Sequence, residues 1–159
     1  MSTTTNQTTI ELDTEVPLVR ITREFDAPPE KVFRAHTDPE LFRQWSGPRG
    51  METVIDVFDA RSGGEYRFHQ LADGEEYAFR GCFHDVVPSE RLVQTFAYEG
   101  MPEEVALETL RFEALPGDRT RLVATSLVDD FASRDAFVAS GMEQGVREGY
   151  EKLDELLAR

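Results

Sequence analysis

Few residues in this chain could do chemistry, and the most conspicuous is Glu108. It lies between Ala106 and Leu110 in a segment whose alternate residues are otherwise apolar, so in a strand it shares the face meant for the core. An unpaired carboxylate there carries a heavy desolvation cost or keeps its proton. An ion pair with Arg111 or Arg23, a bond to a tyrosine, or a bulge that turns the residue outward would each relieve that cost, and the outward or ion-paired arrangement is the expectation. If Glu108 faced a cavity, it could act as a general base or hold a polar group of a ligand. With Tyr77 and Arg23 it makes up the catalytic candidates, a set suited to cyclisation, dehydration or hydrolysis of a polar aromatic substrate.

Other chemistries are poorly served. His36, His69 and His84 have neither the two-histidine helical spacing nor a Cys/His zinc pattern, so no metal is expected and each reads as a solvated histidine. Cys82 has no base beside it in sequence and cannot form an internal disulfide, being the single cysteine. There is no GxSxG and no nucleotide fingerprint, and Gly63-Gly64 reads as a turn. No cofactor is expected.

The elements that must position these groups follow from periodicity. Residues 18–25 read as a strand with Leu18, Val19, Ile21 and Phe25 as apolar members. Pro28 or Pro29 opens a short helix through Val32, Phe33 and Ala35, and Asp38 caps a second one carrying Leu41, Phe42 and Trp45. Period-two segments then follow at 53–58, 65–71, 77–87, 91–98, 105–115 and 120–127, separated by turn residues, as in an antiparallel meander.

The chain ends in an amphipathic helix, with Ser133 as its expected N-cap and glycine at three positions four apart, Gly141, Gly145 and Gly149. Interior glycines cost about 1 kcal/mol each relative to alanine, so the first half of this helix must need space for a packed neighbour or for a ligand. One helix cannot cover both faces of the sheet, so a strongly curved sheet wrapped around it is the economical arrangement.

The chain has 159 residues, enough for one domain expected over 16–159, with residues 1–15 read as a disordered tail lacking the features of a signal peptide or membrane anchor. A net charge of −14, from 31 acidic and 17 basic residues, repels phosphate backbones and anionic lipid, so neither nucleic acid nor membrane insertion is expected. These readings together point to a cytoplasmic protein.

The ordered series Arg23-Glu24-Phe25-Asp26-Ala27-Pro28, Val32-Phe33, Thr37-Asp38-Pro39-Glu40, Gln44-Trp45, Gly47-Pro48, Gly63-Gly64, Gly81, Val87-Pro88, Arg91-Leu92 and Thr120-Arg121-Leu122, closed by the glycine-bearing helix, resembles a known family. That family is named for homology to the activator of the heat-shock protein 90 ATPase. It lies within the helix-grip superfamily of START-type lipid-transfer domains, the birch-pollen allergen and polyketide aromatase/cyclases (SRPBCC). The resemblance spans about residues 18–158. It implies an α+β fold of strand, two helices, six strands and a long helix, with a curved antiparallel sheet of six to seven strands gripping that helix over a ligand cavity. It supplies no catalytic residue. Where relatives often have glycine followed by tryptophan in the last helix, this chain has Gly141-Met142 and Gly149-Tyr150.

Strand alternation and the helix stripe give the lining of such a cavity: Trp45, Met51, Tyr66, Phe68, Tyr77, Phe79, Phe96, Tyr98, Leu110, Phe112, Phe137, Gly141, Met142 and Gly145. The same aromatics could equally fill a core, with tyrosine hydroxyls tied to backbone. The expected partner is a small hydrophobic ligand, aromatic or lipid-like. A chaperone is the alternative partner, and the chain is read as a monomer or weak homodimer.

Overall fold

A computed structural model describes residues 6–159. Its elements are β1 (Thr9–Leu12), β2 (Leu18–Phe25), α1 (Pro29–Thr37), α2 (Pro39–Trp45), β3 (Glu52–Phe58), β4 (Glu65–Ala72), β5 (Glu75–Val87), β6 (Arg91–Tyr98), β7 (Val105–Leu115), β8 (Arg119–Leu127), α3 (Phe131–Ala139) and α4 (Met142–Leu157). The eight strands form one open antiparallel sheet in the order β1-β2-β8-β7-β6-β5-β4-β3. Alternation decides its faces. In β2, Val19, Ile21, Arg23 and Phe25 are buried while the residues between them keep solvent contact.

The inward face, with Leu92, Leu110, Phe112 and Leu122, packs with Val32 and Phe33 of α1 and with Tyr150, Leu153 and Leu157 of α4 into the main core. A second cluster, Tyr66, Phe68 and Phe83, lies farther along the sheet. The two short helices form as their signals predict. Pro29 occupies the first turn of α1, and the Asp38 carboxylate caps α2 by accepting from the amides of Glu40 and Leu41 at 2.9 and 3.4 Å.

The structure departs from the sequence reading at both ends. Residues 1–5 of the expected tail lie outside the described residues, but Thr9–Leu12 is an edge strand paired with β2 rather than disordered chain, giving eight strands instead of six or seven. Its segment has one half-buried apolar residue, Ile10, and its pairing rests on backbone bonds, so it carries no period to read. The last helix is two. Asp130, not Ser133, caps α3 by accepting from the Ser133 amide at 2.7 Å, and the chain then turns at Gly141, whose φ of +91° is the left-handed conformation that a side chain disfavours.

The three glycines serve different purposes. Gly141 makes that turn and faces open space. A Cβ on Gly149 would stand 3.3 Å from the Trp45 carbonyl oxygen, so this glycine lets α4 press against the end of α2. A Cβ on Gly145 would meet only Pro48, at an ordinary 3.7 Å. The space the glycines provide is therefore taken by the Trp45–Pro48 corner.

His36 is also a correction. It is buried, not solvated, with Nδ1 2.8 Å from the Val32 carbonyl and its ring edge-on to Trp45 and Phe112. Burial pushes its pKa from 6.5 down to about 4.

Gly145→Ala should stabilise the protein by about 0.5–1 kcal/mol, whereas Gly141→Ala should destabilise it by about 1 kcal/mol, both read from urea unfolding. A loss at Gly145 would mean the first half of α4 needs room that the packing does not explain. As pH falls from 6.5 to 4, unfolded His36 takes up a proton while folded His36 stays neutral, so stability should drop across that window by roughly 3 kcal/mol. Melting curves of wild type and His36→Gln from pH 7 to 4 check this: the variant should lose much of the slope.

Candidate functional site

The register of the sheet aligns one polar row inside an apolar face. Val19 pairs with Ser126, Ser126 with Glu108, Glu108 with Gln94 and Gln94 with Phe83, on β2, β8, β7, β6 and β5. The row beside it, Ile21, Ala124, Leu110, Leu92 and Val86, is wholly apolar. β7 runs through both rows without a register shift, so no bulge turns Glu108 outward. Nor is Glu108 ion-paired among the described residues. Its Oε1 accepts from the Gln94 amide at 3.1 Å and its Oε2 from the Ser126 hydroxyl at 3.4 Å. The outward or ion-paired expectation is thus overturned, because two neutral donors on flanking strands satisfy the carboxylate where it stands.

Burial pushes the Glu108 pKa above the ordinary glutamate range, against the opposing effect of those two bonds. Burial, and secondarily the charge of Glu108, raises the phenol pKa of Tyr66 on β4 and of Tyr150 on α4. The three groups therefore share one low-dielectric interior.

The other catalytic candidates lie elsewhere. Arg23 faces inward from β2 but is committed to α4: its guanidinium donates two bonds to Asp154, at 2.8 and 2.6 Å, and a third to the Glu24 carbonyl at 2.9 Å, over the face of Phe25. Only its buried Nε lacks a partner among the described residues. Tyr77 stands near the opposite end of β5 from the Phe83 row, and its hydroxyl donates to Glu75.

The aromatic wall exists as a stack. Phe68 and Phe79 are 5.4 Å apart with planes 27° off parallel, and Phe79 and Phe96 are 5.4 Å apart at 17°. Tyr98 joins Phe79 at 5.4 Å and Tyr77 at 6.4 Å. Other expected lining residues are core pieces. Trp45 is buried, donates its indole N–H to the Ala35 carbonyl at 2.8 Å and stacks on Tyr150, and Phe112 and Leu110 are sealed. Tyr66 donates its hydroxyl to the Thr95 carbonyl at 2.6 Å, the filled-core arrangement.

An incompletely covered stretch of the inner face, the recess, remains. Phe79, Phe96, Tyr98, Gln94, Glu108 and Ala124 all point into the concave face yet keep solvent contact, as do Phe137, Met142 and Val146, which pack on the same core from α3 and α4. Met51 stands in the loop before β3. Gly141 and Gly145 are not brought to this recess. Gly141 borders an outer hollow of about 560 Å³ with Gln144 and Arg147, and Gly145 faces Pro48. A second outer hollow, about 470 Å³, lies between α2 and β3 along Arg43 and Ile55. Neither is lined by the aromatic stack.

Gln94, Ala124 and Ser126, which alternation places on the inward face, join the site although the expected lining leaves them out. Their common face was readable from alternation, but their alignment with Glu108 depends on strand register. Among the described residues no cluster of His, Cys, Asp and Glu could hold a metal ion, and no helix is long and apolar enough to cross a membrane.

A half-buried carboxylate held only by neutral donors strains the fold above its pKa. Glu108→Gln should therefore raise the melting temperature at pH 7 by about 2–4 °C, corresponding to about 1 kcal/mol. A lower melting temperature in calorimetry would show that the fold needs the carboxylate itself.

Comparison with known proteins agrees with this architecture. A crystal structure from Rhodobacter sphaeroides is 28% identical, covers 94% of this chain and 97% of its own, and superposes with a TM-score of 0.85. One from Chromobacterium violaceum is 28% identical, with coverage of 89% and 98% and a TM-score of 0.78. A solution structure from Arthrobacter aurescens, 24% identical over 94% of this chain and 91% of its own, shares the fold with a TM-score of 0.87. No curated protein matches the chain. The model of one family, described as "Activator of Hsp90 ATPase homolog 1-like protein", matches residues 26–158, and the chain belongs to that family, with its helix-grip fold.

Proposed function

We propose that this is a cytoplasmic binding protein that takes a small hydrophobic ligand into the recess between the aromatic stack of β4–β6 and the start of α4. The observation that carries this reading is the combination of an inward-facing stack, solvent-accessible at Phe79 and Phe96, with a polar row, Ser126, Glu108 and Gln94, on the same face. Small-molecule sites have this composition, an apolar wall for affinity and a few fixed polar groups for orientation. The loops at the mouth would be those at Met51, at the β4–β5 turn and at Gly100–Glu104, where exposed Met101 offers an adaptable contact. A catalytic use of the same recess, with Glu108 as general base for cyclisation or dehydration, is favoured by its raised pKa and lacks an assigned second group.

Native mass spectrometry of the purified protein, with titration of the neutral dye Nile red, tests the proposal. A stoichiometric co-purifying mass or saturable dye uptake is expected, with dissociation constants in the micromolar range, equivalent to about −8 kcal/mol. Ala124→Phe, which places a ring in the recess, should reduce uptake at least about tenfold without unfolding the protein. Neither mass nor saturation would contradict the reading and leave stimulation of a chaperone ATPase, the activity in the family's description, as the function to test.

A further inference from the structure

The polar row has a charge character that narrows the ligand beyond "small and hydrophobic". Each oxygen of Glu108 accepts one bond, from Gln94 or Ser126, and each retains a lone pair that no protein donor occupies among the described residues. Among the described residues no cation pairs with it. Arg23, the buried arginine of the concave face, is held in a two-pronged pair with Asp154. The other groups that share the interior with Glu108, Tyr66 and Tyr150, are neutral phenols. An anionic ligand entering here would meet an unneutralised carboxylate in a low dielectric, within a chain of net charge −14.

The stack supplies the apolar side of the site. Phe79 lies between Phe68 and Phe96 with nearly parallel planes, so these rings cover one another's faces, and the accessible parts of Phe79 and Phe96 form an apolar wall on the same sheet face as Glu108. We infer that the recess selects aromatic ligands carrying a protonated amine, the rings packing against the accessible parts of Phe79 and Phe96 and the ammonium donating to Glu108, and that it rejects aromatic carboxylates. This inference rests on the binding reading above and specifies the ligand class of that same site.

Three matched probes test it: naphthylmethylamine, naphthylmethanol and naphthoate, which share a ring system and differ in the charge of the polar group. Each is titrated by displacement of Nile red, or directly by calorimetry, against wild type and Glu108→Gln at pH 7. The expected result is that the amine binds wild type at least about tenfold more tightly than the alcohol, since a charged donor meets a desolvated carboxylate, and that naphthoate binds weakest. Glu108→Gln should remove the amine's advantage over the alcohol. The ranking of the probes on wild type is informative whether or not the variant folds. Equal affinities for amine and alcohol, or naphthoate binding as well as either, would overturn the inference while leaving the binding function standing. If none of the three binds and Nile red does not saturate, the binding function itself is refuted, and this inference with it.

Discussion

The structure depends on one buried charge, the Arg23 guanidinium. A guanidinium cannot give up its proton, so a strand that turns one toward the core needs a carboxylate to meet it. Asp154 on α4 is that carboxylate, 131 residues later in the chain, and the two-pronged geometry fixes both the rotation of α4 and its position along β2. The consequences spread from there. With Asp154 facing β2, Leu153 and Leu157 fall into the main core, Tyr150 sits between Phe25 and Trp45, and Gly149 lies against the carbonyl of Trp45. Lys31 closes the far end by donating to the Leu157 carbonyl at 2.6 Å, which suits the negative end of a helix.

Pinned firmly at its C-terminal half, α4 leaves its N-terminal half to lie differently. The left-handed turn at Gly141 frees α4 from the direction of α3, and Met142 and Val146 cover the sheet only partly. The wall opposite is therefore incompletely covered, and it is there that the apolar face carries its polar row. An apolar row would have packed at no desolvation cost. A carboxylate kept in such a place by two neutral donors is the kind of local departure from core rules that functional sites show, and the rest of the core offsets it.

Much of this was legible in the residues. The alternation of Val19, Ile21 and Phe25, and of Leu92, Gln94 and Phe96, identifies both the strands and the face that turns inward, because period two is a property of each strand alone. Asp38 before Pro39 marks α2 for a similarly local reason. What could not be read depends on distance or on backbone conformation. Ile10 by itself has no period, so β1 was invisible. The apolar stripe continues through Gly141, which hid the break between α3 and α4. The roles of Arg23 and Glu108 were open because both carry inward addresses, but their partners, Asp154 for one and Gln94 with Ser126 for the other, come from tertiary packing and strand register. His36 read as solvated because its helix neighbours do not reveal that Trp45 and Phe112 close over it.

NMR titration of the Glu108 side-chain carboxyl carbon tests most directly whether it stands unneutralised in a recess that a ligand can fill. The midpoint should lie above the ordinary glutamate value of 4.5 and move higher still when saturating Nile red displaces water from beside it. A midpoint at or below that value, or one indifferent to the dye, would mean an ion-paired carboxylate or a site that the dye does not fill, and would contradict this reading.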